Sequence, residues 1–342
     1  MPDKKILSFG ELLLRICPDG EGQWLQENKL PFHIGGAELN VATALSLWGL
    51  PSTYFTVLPE NFFARQITDH VSGLGVDMSR VLYQGNRVGL YYLAKGKDLK
   101  NAGVVYDRAH SSFWDLRPGE VDWDKIYEDI GWLHFSAISP ALNAQAAAVC
   151  EEALKAASDK GIRISVDLNY RAKLWQYGVS PDAVMPGLVK YCDLVMGNLW
   201  AAEKMLGVPV DASINPESSQ EAYLAHARQT SEEILRRYPR ASMVANTFRF
   251  DDGASGIRYY TTLYKGGQLY HSKEYRSAVI LDKVGSGDCF MAGLIYGVSL
   301  GRPAQETLEF ATAAAFQKLF IPSDATNQSA PEIEKFMQSY EG

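Results

Sequence analysis

Apolar residues recur along the chain in two alternating rhythms. Lys4 to Phe9 is a short apolar run that stops at Gly10, and Ala37 to Trp48 has apolar positions at helical spacing up to the Gly49-Leu50-Pro51 break. That pattern predicts a strand followed by a helix. The succession returns as a strand from Tyr54 to Val57 and a helix from Ala64 to Leu74, then a strand from Trp132 to Ser136 and a helix from Ala144 to Ser158. A strand from Arg163 to Leu168 follows, then a strand from Leu194 to Gly197 with a helix from Trp200 to Leu206. Strands that alternate with helices predict a parallel sheet covered on both faces.

Three stretches break the alternation. Leu12 to Ile34 and Val88 to Arg108 are rich in strand formers and glycine and lack a helical period, so they predict a small β-flap set into an α/β core. Ile257 to Tyr275, with its Lys265-Gly266-Gly267 turn, predicts a hairpin near the sheet edge. Helices alone are expected afterwards, over about 289–300, 304–320 and 331–340. No internal repeat or linker-like segment interrupts the chain, so a single domain spanning 1–342 is expected, with lid strands from about 12–34 and 88–108. Exposed flap edges would be covered by pairing with a second copy, which makes a homo-oligomer the expected state.

Composition narrows the field without redirecting it. The 342 residues include 46% hydrophobic and 21% charged positions, enough to bury a core without disulfides or a structural metal. A net charge of -7 and the lack of a basic block argue against nucleic acid and anionic membranes as partners. The N-terminal apolar run is broken by Gly10, Glu11 and Arg15, and nothing later approaches the ~18 uninterrupted apolar residues of a spanning helix. A cytoplasmic protein is expected. Cys17, Cys150, Cys192 and Cys289 are widely separated and read as buried, reduced thiols. His33, His110 and His134 lack metal-ligand spacing.

The window carrying most chemical information is Asp282-Lys-Val-Gly285-Ser286-Gly287-Asp288-Cys-Phe-Met-Ala-Gly293. It places glycines and a carboxylate where a loop becomes a helix. Unpaired N–H groups and the helix dipole there attract anionic oxygens, and glycine lets a phosphate come close. A carboxylate at the same place repels phosphate, unless it receives the proton of a hydroxyl lying between it and that phosphate. A glycine-rich turn with Asp288 as an ordinary helix cap is the alternative. No third glycine completes a dinucleotide fingerprint, and neither a P-loop nor a protein-kinase motif is present.

A second window, Gly35-Gly36-Ala37-Glu38-Leu39-Asn40-Val41-Ala42, sets two glycines at another helix start with Asn40 one turn inside. It suits a site for sugar hydroxyls, with a tight strand-to-helix connection as the plainer reading. Together GGAELNVA and DKVGSGDCFMAG resemble, in order and separation, the two signatures of the ribokinase-like family, the PfkB carbohydrate kinases. The resemblance runs over essentially the whole chain. It implies a three-layer α/β/α sandwich with a small β-sheet lid, and ATP with Mg²⁺ as cofactors. It also implies Gly285, Ser286 and Gly287 as an anion hole and Asp288 as catalytic base.

Within that family, HFSAISPAL (His134 to Leu142), SVDLNYRAKLW (Ser165 to Trp175), VGLYY (Val88 to Tyr92) and VYDR (Val105 to Arg108) are similar to 2-keto-3-deoxygluconate kinases. The likeness implies that Arg108 and Arg171 grip a substrate carboxylate, that Tyr91 and Tyr106 line the pocket, and that Gly35, Gly36, Asn40 and Asp324 contact the sugar. A planar guanidinium does match a carboxylate bidentately, and Arg171 follows a predicted strand end, where α/β sheets bind ligands. A surface ion pair for Arg108 and a structural turn for Arg171 are the alternatives.

The chain departs from the family in two places. The usual N-x-x-E near the magnesium and phosphates is replaced by Asn198 with a carboxylate only at Glu203, the candidate metal-side residue. Val244 to Gly256 reads VANTFRFDDGASG where T-x-G-x-x-G is usual, leaving Thr247 as the candidate nucleotide contact beside Asn198. A monovalent cation near Asp282 and Val284 stays open, as does another nucleoside triphosphate. A kinase for a neutral sugar such as fructose or ribose, and a non-catalytic sugar-binding relative, are the competing readings.

Overall fold

The computed structural model describes residues 4–18, 24, 28–94, 103–253 and 255–340. The first half runs β1 (Lys5–Phe9), β2 (Leu13–Ile16), β3 (Phe32–Gly35), α1 (Ala37–Leu47), β4 (Ser52–Phe55), β5 (Val57–Leu58), α2 (Phe62–Gly73), β6 (Leu82–Tyr83), β7 (Gly89–Tyr92), β8 (Val105–Asp107) and α3 (Trp123–Ile126). The middle holds β9 (Ile130–Ser136), α4 (Ala144–Asp159), β10 (Arg163–Asp167), α5 (Pro181–Val189), β11 (Leu194–Met196), α6 (Leu199–Leu206) and α7 (Gln220–Arg237). The last third comprises β12 (Met243–Asp252), β13 (Gly256–Lys265), β14 (Gln268–His271), β15 (Tyr275–Ser277), α8 (Ser286–Ser299), α9 (Ala304–Lys318) and α10 (Ala330–Ser339).

The main sheet is ordered β14-β13-β12-β11-β10-β9-β1-β4, with β15 also on β13. All pairs from β4 to β12 are parallel. Alternate residues of these strands enter two separate cores. Leu7, Val195 and Val244 pack with α4, α5 and α6, whereas Ile6, Leu194, Met196, Met243 and Ala245 pack with α1, α8, α9 and α10. Period-2 burial on both faces makes this a three-layer α/β/α sandwich, as expected.

The predicted hairpin is β13–β14, at the sheet edge, and β13 also pairs with β12 over the whole of Met243–Asp252. The stretch expected to contribute an altered nucleotide loop is thus largely a strand. A second sheet, ordered β3-β2-β7-β8, falls inside the two predicted flap stretches; residues 19–23, 25–27 and 95–102 of those stretches lie outside the described residues. All four cysteines are buried, and none of them forms a disulfide. Among the described residues, no helix is long and apolar enough to cross a membrane.

Helix starts differ in what caps them. Asn61, Asn143, Asn198 and Ser219 cap α2, α4, α6 and α7 through side-chain oxygens, α5 and α9 start on Ser180 and Pro303 without a side-chain bond, and α1 and α8 start on Gly36 and Gly285, also without one. The two glycine-started helices pack against each other.

Candidate active site

Gly285 opens α8 with φ 78°, and a Cβ there would lie 1.8 Å from the Asp324 carbonyl oxygen. Both the left-handed backbone and the close approach require glycine. The first amide of the helix to find a backbone acceptor is Cys289, which donates to the Gly285 carbonyl at 2.9 Å. Among the described residues, no acceptor takes the N–H groups of Ser286, Gly287 or Asp288. A Cβ on Gly287 would meet nothing within 4 Å, so there is open space beside the second residue of the helix. The loop is braced from behind, where Ser286 Oγ donates to the Lys283 carbonyl at 3.1 Å and Val284 N–H donates to Asp282 Oδ1 at 3.0 Å. A braced, open, uncapped helix start is an anion site.

One turn into α8, Asp288 is 9% exposed, and Asn40 of α1 donates to its Oδ2 from Nδ2 at 2.7 Å. Burial is the main cause that pushes the Asp288 carboxyl up to about 8; the negative charges of Asp167 and Glu38 add to it, and Asn40 and Arg171 oppose it. A positive charge arriving beside it would favour ionisation. Asn40 Oδ1 is buried without a partner, so the pair presents an unused acceptor next to the carboxylate.

The other predicted residues fall into two groups. Arg171 belongs to the first, just past the C-terminal end of β10: Nη1 donates to the Tyr170 carbonyl at 3.0 Å, and Nε is buried without a partner. Tyr106 stands beside it, its hydroxyl pushed up by burial against the opposing charges of Arg171 and Arg108. These groups can still bind something.

The second group is already engaged. Arg108, expected to grip a carboxylate of the substrate, is 3% exposed and has one from the protein, with Nε 2.7 Å and Nη2 2.6 Å from Glu11 Oε2. Tyr91 donates to Asp324 Oδ2 at 2.9 Å. Asp324 is 1% exposed and lies under Gly35, where a Cβ would come within 2.3 Å of Oδ2. Its Oδ1 is 2.8 Å from Arg15 Nε, an ion contact without hydrogen-bond alignment. Gly36, at φ 137°, has its would-be Cβ 2.5 Å from the Glu11 carbonyl oxygen. Tyr91 and Asp324 therefore hold the backbone of Gly35 from behind.

The residues expected near the nucleotide also divide. Asn198 caps α6, accepting from Ala201 N–H at 2.8 Å. Thr247 sits within β12 opposite Thr261. Glu203 is turned toward the bend after α6, where its carboxylate accepts from Val210 N–H at 3.4 Å and lies 3.5 Å from Lys204. Five positions past Asn198 it stands on a different face of the helix, so it does not take the place of an N-x-x-E carboxylate. No group of three or more metal-ligating side chains occurs among the described residues.

Several residues at the site escaped the motif reading. Glu38 is fully buried and accepts from Ser136 N–H at 3.0 Å and Ser136 Oγ at 2.6 Å, and burial pushes it up to about 7. Asp167 ends β10 and accepts from Asn169 N–H at 3.0 Å. Behind Gly285, beside Asp282 of the motif itself, lie Arg15 and Lys318, all three 0% exposed. The signal for Arg15 and Lys318 was a lone cation inside an apolar strand or an Ala-rich helix.

A buried carboxylate in the first turn of a helix whose first amides are uncapped suits the movement of a phosphoryl group onto a hydroxyl. The chain belongs to the pfkB family of carbohydrate kinases, whose model matches residues 3–329. It is 36% identical to the 2-dehydro-3-deoxygluconokinase from Thermotoga maritima, whose crystal structure superposes with a TM-score of 0.88 over 98% of this chain and 100% of that one. It is 27% identical to a 2-dehydro-3-deoxygalactonokinase from Haloferax volcanii, over 98% of this chain and 96% of that one. Probable fructokinase-5 from Arabidopsis thaliana is 26% identical, over 96% and 97%.

Proposed function

We propose that the protein transfers the γ-phosphoryl group of ATP to the 6-hydroxyl of 2-keto-3-deoxygluconate, the sugar acid also written 2-dehydro-3-deoxygluconate. The observation that carries this reading is the Asp288 carboxylate, bonded to Asn40 at 2.7 Å and standing beside the open amides of Ser286 and Gly287. The sugar hydroxyl gives its proton to Asp288 as its oxygen forms a bond to the γ-phosphorus. The bond to the bridging oxygen breaks, and ADP leaves with the electron pair. The amides stabilise the transferred group, and a loose transition state makes Asp288 chiefly an orienting group and late proton acceptor.

Asn40 Oδ1 accepts from a second sugar hydroxyl, and Arg171 Nε takes the sugar carboxylate beside Tyr106. Gly35, Tyr91, Asp324 and the Arg108–Glu11 pair shape the pocket wall. Magnesium would be held mainly by the phosphates and water, since no group of three or more side chains that could hold a metal occurs among the described residues, and would neutralise the phosphate charge. Asn198 and Thr247 stand on the nucleotide side. The work would be done in the cytoplasm by an oligomer that covers the open edges β3 and β8 of the small sheet; light scattering tests the assembly.

A second reading, a kinase for a neutral sugar, draws support from Arg108, whose charge Glu11 already balances. ADP formation with 2-keto-3-deoxygluconate, 2-keto-3-deoxygalactonate, fructose and ribose decides. Sugar acids as the best substrates are expected, and fructose or ribose as the best substrate would transfer the assignment to the second reading.

A further inference from the structure

Lys318, the last residue of α9, is 0% exposed. A lysine at a helix C-terminus ordinarily reaches into water, and a fully buried one needs partners for its charge. Nζ donates to the Ile321 carbonyl at 3.1 Å. Burial holds the ammonium below its ordinary 10.5, and the charges of Asp282 and Asp324 act against that loss of the proton. Arg15 binds the same two carboxylates, with Nη2 2.7 Å from Asp282 Oδ2 and Nε 2.8 Å from Asp324 Oδ1. Two cations thus balance two anions in a space closed to solvent. Neutralising Lys318 would leave one buried carboxylate uncompensated.

This cluster lies directly beneath the anion site. Lys318 Cε is 3.4 Å from where a Gly285 Cβ would stand, and the Asp324 carbonyl oxygen is 1.8 Å from the same point. Ile321, which Lys318 binds, and Asp324 belong to one short turn, in which Ser323 N–H also donates to the Ile321 carbonyl at 2.9 Å. On the far side, Leu281 and Asp282 donate their N–H groups to the Leu319 carbonyl at 2.8 and 3.1 Å. The segment leading into α8 is therefore clamped to the segment leaving α9, with the ammonium group between them.

We propose that Lys318 is a positioning residue whose ammonium is a built-in cation: it holds the 319–324 turn against Gly285, keeps the α8 amides aimed at the transferred phosphate, and makes turnover independent of any free monovalent cation. The proposal rests on the phosphotransfer reading, and a wild type that forms no ADP with any sugar would remove that reading first. Given an active wild type, its rate with MgATP and sugar is compared in potassium, sodium and tetramethylammonium chloride at equal ionic strength. Rates agreeing within about two-fold are expected; activation by potassium well beyond that overturns the proposal.

The substitution Lys318→Met keeps the volume and removes the charge. It is expected to lower kcat by at least about ten-fold with the sugar KM little changed, because small displacements of catalytic groups are felt in kcat. In Lys318→Ala, potassium or ammonium, but not tetramethylammonium, should restore much of the loss. An unchanged kcat in Lys318→Met, or a loss in Lys318→Ala that no small cation reverses, overturns the built-in cation. Should neither variant fold, the wild-type salt series still decides.

Discussion

The two helices that start on glycine are built alike and serve opposite ends. α1 and α8 both lack a side-chain cap, both carry an acidic residue in the first turn, and they pack against each other. At the start of α1 the glycine and the acid are engaged, since Gly36 lies on the Glu11 carbonyl and Glu38 is bonded to Ser136 twice, and Asn40 Oδ1 is left without a partner. At the start of α8 only the rear is engaged. Gly285 touches the Asp324 carbonyl, while Gly287 faces open space and Asp288 has Asn40 as its donor. The same local sequence device therefore makes a joint in one place and, in the proposed function, the reaction site in the other. What distinguishes them is where the acid of the first turn goes: Glu38 is used up by Ser136 of the neighbouring strand, whereas Asp288 has only the Asn40 amide, whose own Oδ1 is unpartnered and would be completed by a ligand.

The sharpest way to break this comparison is Asp288→Asn, which removes the carboxylate and keeps the shape. A loss of ~10²–10⁴ in kcat with sugar binding nearly intact is expected, the usual range for a positioned general base. Steady-state kinetics at saturating ATP checks it; near wild-type turnover would place the reaction site elsewhere.

The glycines offer a paired test. Gly285→Ala should lower unfolding stability by about 3 kcal/mol, since it combines a strained left-handed backbone with a backbone clash. Gly287→Val should fold normally and lose ~10² in kcat, because its side chain would occupy the space in front of the amides. Thermal melts and kinetics on both variants separate packing from access, and equal destabilisation by the two would erase the distinction.

Specificity gives a smaller effect. Arg171→Ala should reduce kcat/KM for 2-keto-3-deoxygluconate by at least ~10-fold and barely alter the weaker activity on fructose. An equal loss on acid and neutral sugars would detach Arg171 from the carboxylate. Arg108→Ala is expected to act differently from what a substrate grip implies, by destabilising the protein, because it strands the buried Glu11.

The smallest effect is a pH trend in the ligand-free protein. The unfolded chain ionises Asp288 near its ordinary 3.8, whereas the folded protein holds that proton up to about 8. Between those values the folded state binds more protons than the unfolded one, so stability declines as pH rises. Melting curves from pH 5 to 8 should show the decline, and Asp288→Asn should flatten it, most visibly above pH 7, where Glu38 has already titrated.

How legible the molecule was can be argued from particular elements. The parallel strands β1, β9, β10 and β11 are short runs buried on both faces and announce themselves by apolar continuity, as do the Ala-rich helices α1, α4 and α9. α7, with its low apolar content, and the mixed polar strand β12 escaped that reading, since long-range pairing and packing, not local period, hold them.

Sequence alone determined the α/β class, the two glycine-started helices and the candidate base Asp288, because short segments encode helix starts and strand rhythm in adjacent residues. Only the tertiary structure decided which predicted site groups were free. Arg171 keeps an unpartnered Nε, while Arg108 is matched to Glu11 across 97 positions, and Lys318 lies among its chain neighbour Asp324 and the more distant Asp282 and Arg15. Charge pairing depends on distance in space, which no local pattern records.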